Sequence, residues 1–500
     1  MQLELFEGDN KAYLVENFSA DSLCEQSSRR SLEKKFAAKM HITEQFNRQS
    51  VSYQLSKKEA LHRWLKYKEG FSADLVNTIL NEAGIKEGDC VMDPFMGSGT
   101  TALVCQMRGV NSIGYDIMPM SEVAIKVKSF ALQYDTDEIQ RLIDEVKALQ
   151  LPSQYPYKIS QIVITEDAYP EKTQKFLHFI QEWNRLSSYS EEVKLLLTLC
   201  IVNSLETISY TVKSGQYLGW DSRSLKVQRA NESRAQKGQK LLPLKTVRKI
   251  IPEAQAVIVE ELEKVLSDIV YIQQNTSTNF GGKIDFTLRS VLYELPLLEE
   301  NRLNAVVTSP PYCNRYDYTR TYALELVYLG LGEQDIRKMR QTLLSCTVEN
   351  KSKMDELQQY YEHINHADRF KYIKNTLDSI SVLTEIKEAL KVREAKGDLN
   401  NKGVLRMVEG YFIELGFIYA ELFRTCRPGA LVAFVNDNVR YGGEVIPVDF
   451  ISCEMAEAFG FSVKKIYVLK QQKGNSSQQM ARFGRVPLRK SITIWQKNEG

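Results

Sequence analysis

The stretch "DCVMDPFMGSGTTALVCQMRG" constrains the fold more than any other part of the chain. Cys90 to Met92 reads as a buried strand, Gly97 and Gly99 as a tight turn, and the residues from Thr100 as a helix ending near Gly109. "NSIGYDIMP" then gives a second strand and "MSEVAIKVKSFAL" a second helix. Strand, helix, strand, helix at this spacing opens a doubly wound parallel sheet. Ahead of it, Phe71, Leu75, Val76, Ile79 and Leu80 fall at helical spacing behind Ser72, a suitable N-cap. The alternation stops near residue 131 and resumes at about 284 with "TLRSVLYELPLLEENRLNAVVTSPPY". A second interruption, roughly 332 to 405, is charged and helical. The chain closes with a helix, the turn Pro428-Gly429, a strand, a helix around Cys453 to Phe459, and two strands, "FSVKKIYVLKQ" and "RKSITIWQK", expected to pair antiparallel. One α/β sheet split by two mainly helical insertions is therefore expected.

The glycine turn offers backbone N–H groups at a helix start and lets a ligand approach the main chain closely. It lacks the lysine of a phosphate-cradling loop and the third glycine of the dinucleotide fingerprint. The second strand ends in Asp116, about twenty residues on, where an acid takes ribose hydroxyls. A nucleoside cofactor without a pyrophosphate satisfies both observations. The later strand Ala305 to Thr308 stops on Ser309-Pro310-Pro311-Tyr312. Two prolines remove two donors and fix φ, so the strand cannot continue and the carbonyls of Ser309 and Pro310 are held in set directions.

Composition excludes several classes. With 43% apolar residues among 500, the chain can bury a large core, and the size prior suggests two to four units. No apolar run approaches the roughly 20 residues of a membrane span, and "MQLELFEGDN" is no signal segment, so a soluble, cytoplasmic protein is expected. The eight cysteines contain no C-x-x-C pair, so neither a metal site nor a disulfide framework is expected. Net charge is only +2, but ten Lys/Arg face two acids between Lys213 and Lys249, and eight face none between Lys464 and Lys490. "GQYLGWDSRS" and "GNSSQQMARFGR" place aromatics and amides among these charges, a mixture suited to phosphate contact combined with base-edge hydrogen bonding.

Asp93 to Thr101, followed much later by Thr308 to Tyr312, resembles the cofactor and catalytic motifs of amino-group DNA methyltransferases. The serine at 309 is most similar to the cytosine-N4 members. The resemblance covers roughly half of the chain, including "RWLKYKEGFSADLV" and the closing helices and strands. It implies a class I S-adenosylmethionine-dependent methyltransferase fold, Rossmann-like, with a C-terminal antiparallel hairpin. The catalytic domain would comprise 51–130, 284–331 and 406–500, after an N-terminal arm at 1–50. The helical insertion at 131–283 would read the DNA target, and 332–405 would be a second insertion. S-adenosyl-L-methionine would be held by Phe71, Ser72, Asp93, Pro94, Phe95, Gly97, Ser98, Gly99, Thr100 and Asp116. Ser309, Pro310, Pro311 and Tyr312 would be catalytic, with Tyr312 stacking on a flipped base. Tyr217, Trp220, Arg223, Lys226, Lys473, Arg482 and Arg485 are the candidates for double-stranded DNA contact. No metal is implied, and a restriction endonuclease would be a separate chain. One departure stands out: a Gly-Asp-Ser-like turn that contacts the cofactor's adenine in such enzymes is replaced by Leu288-Arg289-Ser290, with Asp285 a weak substitute.

Carbon-5 cytosine methylation needs a Pro-Cys nucleophile, and none of the thirteen prolines precedes a cysteine. Adenine-N6 methylation uses the same geometry, typically with Asp or Asn in place of Ser309, and is the alternative reading. RNA bases and a protein glutamine amide are also substrates of Pro-Pro-Tyr enzymes, and an inactive DNA-binding version of the fold is a non-enzymatic alternative.

Overall fold

The computed structural model describes residues 11–155, 162–214, 217–276, 281–470, 473–474 and 482–499. Eight strands form its central sheet: β1 (Met40–Thr43), β2 (Cys90–Asp93), β3 (Asn111–Asp116), β4 (Ile284–Leu288), β5 (Leu303–Thr308), β6 (Cys426–Asp437), β7 (Phe461–Leu469) and β8 (Lys490–Lys497). Their order across the sheet is β1-β7-β8-β6-β5-β2-β3-β4. β8 runs antiparallel to both neighbours, and every other pairing is parallel. From β2 the chain moves outward through β3 and β4, then crosses back to β5 on the other side of β2. The order reverses between β2 and β5, which pair through Val91 with Ala305 and Met92 with Val306. The C-terminal ends of those two strands flank the crevice in which open α/β sheets bind ligands.

Helices cover both faces. Ser72 Oγ accepts from the Leu75 N–H at 3.3 Å and starts α1 (Ala73–Glu82). Its stripe Leu75, Val76, Ile79 and Leu80 is fully buried, and with Val104 and Cys105 of α2 (Thr100–Met107) it packs on Val91, Ala305, Val307 and Val435. The opposite face carries α4 (Val404–Thr425) and α5 (Val448–Ala458), packed on Met92, Val306, Phe434 and Trp495. The eight cysteines are all buried and free, behaving as small hydrophobes.

The two stretches that interrupt the sheet differ in how they are held. Helices Thr136–Ala148, Glu171–Leu186, Glu191–Ser204 and Ala254–Asn275 share a second core with α3 (Pro119–Ser129) through Met120, Ala124 and Val127. Helix Glu333–Thr342 adds Ile336 to this second core, whereas the helices between Met354 and Ala395 join the main core, where Leu357, Tyr361, Phe370 and Ile373 meet Phe417 and Ile418 of α4. The buried ion pair Lys353–Glu414 (2.8 Å) and the half-buried Arg369–Glu421 (2.8 Å) fix them there.

Three features depart from the sequence reading. Within the segment expected as a polar arm, helix Ser27–Phe36 and β1 build into the main core through Leu32, Phe36 and Met40. Two of its charges are buried and paired, Arg29 with Glu385 at 2.6 Å and Glu444 at 2.9 Å, and Glu33 with Arg489 at 2.7 Å, whereas Arg30, Lys34 and Lys35 are exposed. The Pro428-Gly429 pair does not separate helix from strand. α4 ends at Thr425, β6 begins at Cys426, and Gly429 (φ 82°) lies where β6 shifts register against β5. The basic stretch near Lys213 also contains a small antiparallel hairpin, Thr211–Ser214 with Tyr217–Trp220.

Candidate active site

The loop after β2 is tied down from below. Asp93, 1% exposed, accepts from Thr308 Oγ1 (2.6 Å), Thr101 Oγ1 (2.9 Å) and the Phe95 N–H (3.1 Å). One carboxylate thus joins the end of β2, the first turn of α2 and the end of β5. Burial pushes its carboxyl up to about 6 despite these donors. Above it the chain turns through Gly97 (φ 53°), where a Cβ would lie 2.9 Å from the Tyr67 ring. The Gly97 N–H donates to Asp116 Oδ2 at 2.7 Å, and the Met118 N–H to Oδ1 at 2.8 Å, so Asp116 ties the first loop to the end of β3. From α3, the fully buried Lys128 Nζ reaches the Ser98 carbonyl at 3.0 Å. With no counter-charge beside it, burial lowers the Lys128 ammonium to about 7.

At the end of β5 the two prolines stop the strand as expected. Ser309 Oγ and Tyr312 Oη share a hydrogen bond of 3.0 Å across the turn, and Lys490 Nζ lies 5.0 Å from the centre of the Tyr312 ring. The Tyr441 hydroxyl donates to the Cys313 carbonyl at 2.7 Å and anchors the turn from behind.

Two cavities adjoin this turn. The first, about 720 Å³ and partly open to solvent, is lined by Phe71, Pro94, Phe95, Gly97, Ser98, Thr100 and Asp116 from the expected cofactor set, and by Ser309 and Pro311. The second, about 1190 Å³, is lined by Tyr312, Asp437 and the cations Arg48, Lys68 and Lys490. Glu69 and Tyr318 line both. Four expected site residues line neither: Ser72 caps α1, Asp93 lies beneath the loop, the Gly99 Cβ position faces Ile125, and Pro310 is buried. Arg289 and Ser290, which replace the expected Gly-Asp-Ser-like turn, do line the first cavity, whereas Asp285 is exposed on the edge strand β4.

Sequence reasoning missed Tyr67, Glu69 and Tyr318. Tyr67 and Tyr322 stack with ring centres 5.3 Å apart, and the Tyr322 hydroxyl donates to Glu69 Oε2 at 2.5 Å. The signal was the aromatic cluster that follows Ser309-Pro310-Pro311 as far as Tyr322, whose partners in the Tyr67 segment lie some 250 residues away and cannot be paired by pattern.

Most of the expected DNA-contacting side chains are engaged within the protein. Arg223 meets Asp221 at 2.8 Å, holding that carboxyl well below the usual range, and also reaches the carbonyls of Arg248 and Lys249. Lys226 Nζ lies 4.6 Å over the half-buried Trp220 ring and donates to the Val163 carbonyl. Arg482 pairs with Asp398 at 2.6 Å, and Arg485 is exposed. The side chains of Tyr217 and Lys473 lie outside the described residues. Among the described residues no group of three His, Cys, Asp or Glu could hold a metal, and no helix is long and apolar enough to cross a membrane.

Comparison with known proteins bears on this arrangement. The DNA methylase family profile matches residues 8–126, which include the whole glycine loop and Asp116. The type II methyltransferase M.BsoBI of Geobacillus stearothermophilus is 48% identical over 507 aligned residues, covering 99% of each chain. The chain belongs to the amino-group DNA methylase family. This methylase is also 37% identical to the type II methyltransferase M.AvaI of Nostoc sp. strain PCC 7120, over 96% of its own length and 95% of the relative's. M.MjaII of Methanocaldococcus jannaschii, another type II methyltransferase, is 25% identical over 54% of the methylase and 64% of the relative. No solved structure matches the methylase.

Proposed function

We propose that this methylase transfers a methyl group from S-adenosyl-L-methionine to the exocyclic N4 amine of a cytosine flipped out of double-stranded DNA, as the modification enzyme of a type II restriction-modification system. The observation that carries the reading is the pair of cavities on either side of Ser309 to Tyr312, one edged by Ser309 and Pro311, the other by Tyr312. The sheet order, with its reversal between β2 and β5 and its one antiparallel strand, supports a class I S-adenosylmethionine-dependent fold. The stretch 131–283, with a core of its own and the basic hairpin, is the better candidate for target recognition.

The first cavity fits the cofactor chemically. Phe71 and Phe95 supply apolar walls, the hydroxyls of Ser98 and Thr100 can bond the cofactor's polar groups, and the Asp116 carboxylate at the cavity wall can accept from ribose hydroxyls. Bound there, S-adenosyl-L-methionine supplies an electrophilic methyl group. The protein's task is to aim an amine whose lone pair is delocalised into its ring. Ser309 Oγ and the Pro310 carbonyl accept the amine's hydrogens and draw it towards tetrahedral geometry, which is positioning and charge stabilisation with no covalent intermediate. Ser309 Oγ has a lone pair free to accept whichever hydroxyl donates across its 3.0 Å bond with Tyr312 Oη, and the Tyr312 ring stacks on the base. The donors and acceptors of the second cavity suit a base edge that presents an amine beside ring acceptors.

The test is to sequence DNA from cells expressing the chain with a readout that distinguishes N4-methylcytosine from N6-methyladenine. N4-methylcytosine within one short sequence is expected. N6-methyladenine alone would overturn the choice of base, and neither mark in cells containing cofactor-competent protein would overturn the duplex-DNA reading.

A further inference from the structure

Residues 233–252 contain six Lys or Arg and no acid, yet this segment also holds Leu241, Leu242, Leu244 and Ile250 at the surface. Leu244 is 86% exposed, Ile250 74% and Leu241 52%. A single exposed leucine needs no explanation, but four large apolar residues within ten positions, all among cations, form a surface that requires a partner.

The loop is rigidly held, although it forms no helix or strand between Gln236 and Ala254. The Leu242 N–H donates to Asn231 Oδ1 at 2.8 Å, and the Lys245 carbonyl accepts from the Ser222 N–H at 2.8 Å. The Val247 N–H donates to Asp221 Oδ2 at 2.8 Å, and Arg248 Nη1 reaches the carbonyls of Ser209 (3.1 Å) and Thr211 (2.9 Å). Pro243 fixes φ immediately before the tip. The backbone is therefore braced on both sides of Leu244, the most exposed of the four apolar side chains. The loop rests on the hairpin Thr211–Trp220, where Lys245 Nζ would lie 3.3 Å from a Cβ at Gly219. That hairpin packs against the helical turn Tyr318–Thr321, and Tyr318 lines both cavities of the active site.

We infer that Leu244 is an apolar wedge that enters the base stack of duplex DNA next to the flipped base, while the surrounding Lys and Arg side chains hold the phosphates. The inference rests on the proposed DNA-methylating function. Charge decides the occupant: a segment with six cations and no acid complements a polyanion and opposes docking of a second copy of itself. Apolar wedges in a basic frame offset the cost of unstacking by keeping the gap filled, and a leucine on a braced loop loses little entropy on insertion. The glycine loop and the Pro-Pro turn hold the reactants, but neither supplies a group to fill the space the base leaves.

The experiment compares the full-length wild type with Leu244→Ser and Leu244→Phe on two duplexes carrying the unmethylated recognition sequence, one with 2-aminopurine in place of the target base, which reports extrusion, and one unmodified, on which kcat is measured. Because Leu244 is almost fully exposed, Leu244→Ser is expected to leave the thermal midpoint and cofactor affinity unchanged. It should reduce the fluorescence rise on the first duplex and kcat on the second by about 10-fold or more, a loss of about 1.4 kcal/mol at the lower bound. Leu244→Phe should retain both. Extrusion and kcat equal to wild type in Leu244→Ser would overturn the wedge while leaving the function intact. A change in sedimentation from dimer to monomer with unaltered DNA response would overturn it in favour of self-association. Failure of the wild type itself to mark any duplex would remove both readings together.

Discussion

Replacing Lys128 by methionine should make the protein more stable at neutral pH and worse at holding its cofactor. Lys128 is 0% exposed, and its ammonium has fallen from 10.5 to about 7 through burial alone. At about 1.4 kcal/mol per pH unit, that difference is worth about 5 kcal/mol. Between pH 7 and 10.5 the unfolded chain binds a proton that the folded protein has given up, so this group makes stability rise with pH across that window; its cost is fully felt at and below pH 7. Methionine has a similar shape and no charge. Against the relief stands the Ser98 carbonyl, which loses its 3.0 Å donor at a cost of about 1–3 kcal/mol. The net at pH 7 is a gain of about 2–4 kcal/mol, which should largely disappear near pH 9, where more than half of the wild-type penalty has lapsed. Urea midpoints of both proteins at pH 7 and pH 9 measure this. Isothermal titration with S-adenosyl-L-methionine should show weaker binding in the variant, because Ser98 lines the first cavity and its carbonyl is no longer held. A variant less stable than wild type at pH 7, or a difference between the two that is the same at both pH values, would refute the assignment of a costly buried ammonium.

Tyr312→Ala should lower kcat by about 10- to 100-fold, the range expected for losing one base-stacking ring, with cofactor affinity unchanged because Tyr312 lines only the second cavity; equal losses in both would count against its role. Thr308→Val removes the 2.6 Å donor to Asp93 and should cost about 1.5–3 kcal/mol of stability at pH 8. Because the Asp93 carboxyl lies at about 6, the cost should shrink at pH 5, where the group is protonated in the folded protein; urea midpoints at the two pH values decide it, and a pH-independent cost would be wrong for a charge-assisted bond.

The parts of this protein legible in its sequence are those whose physics is local. The turn at Gly97 and Gly99 needs residues that accept positive φ, the helix behind Ser72 announces its buried stripe by spacing, and two prolines can only end a strand. Those three local rules place both motifs at strand ends and predict the sheet's alternation. What the tertiary structure decided is everything that depends on pairing distant charges and rings. Arg489 sits in the basic run near the C-terminus, yet it is buried between Glu33 (2.7 Å) and Asp449 (3.0 Å), so a local charge count places it on a surface it does not occupy. The helix Ser27–Phe36 escaped notice for the same reason, because Arg29 and Glu33, neutralised across the fold, look solvated when read in order. β1 is only four residues long and pairs with residues about 425 positions later. The identity of the groups shared by the two cavities, Glu69 and Tyr318, likewise required the fold: neither residue is unusual in its own neighbourhood, and only the packing of Tyr322 on Tyr67 brings their segments to one site.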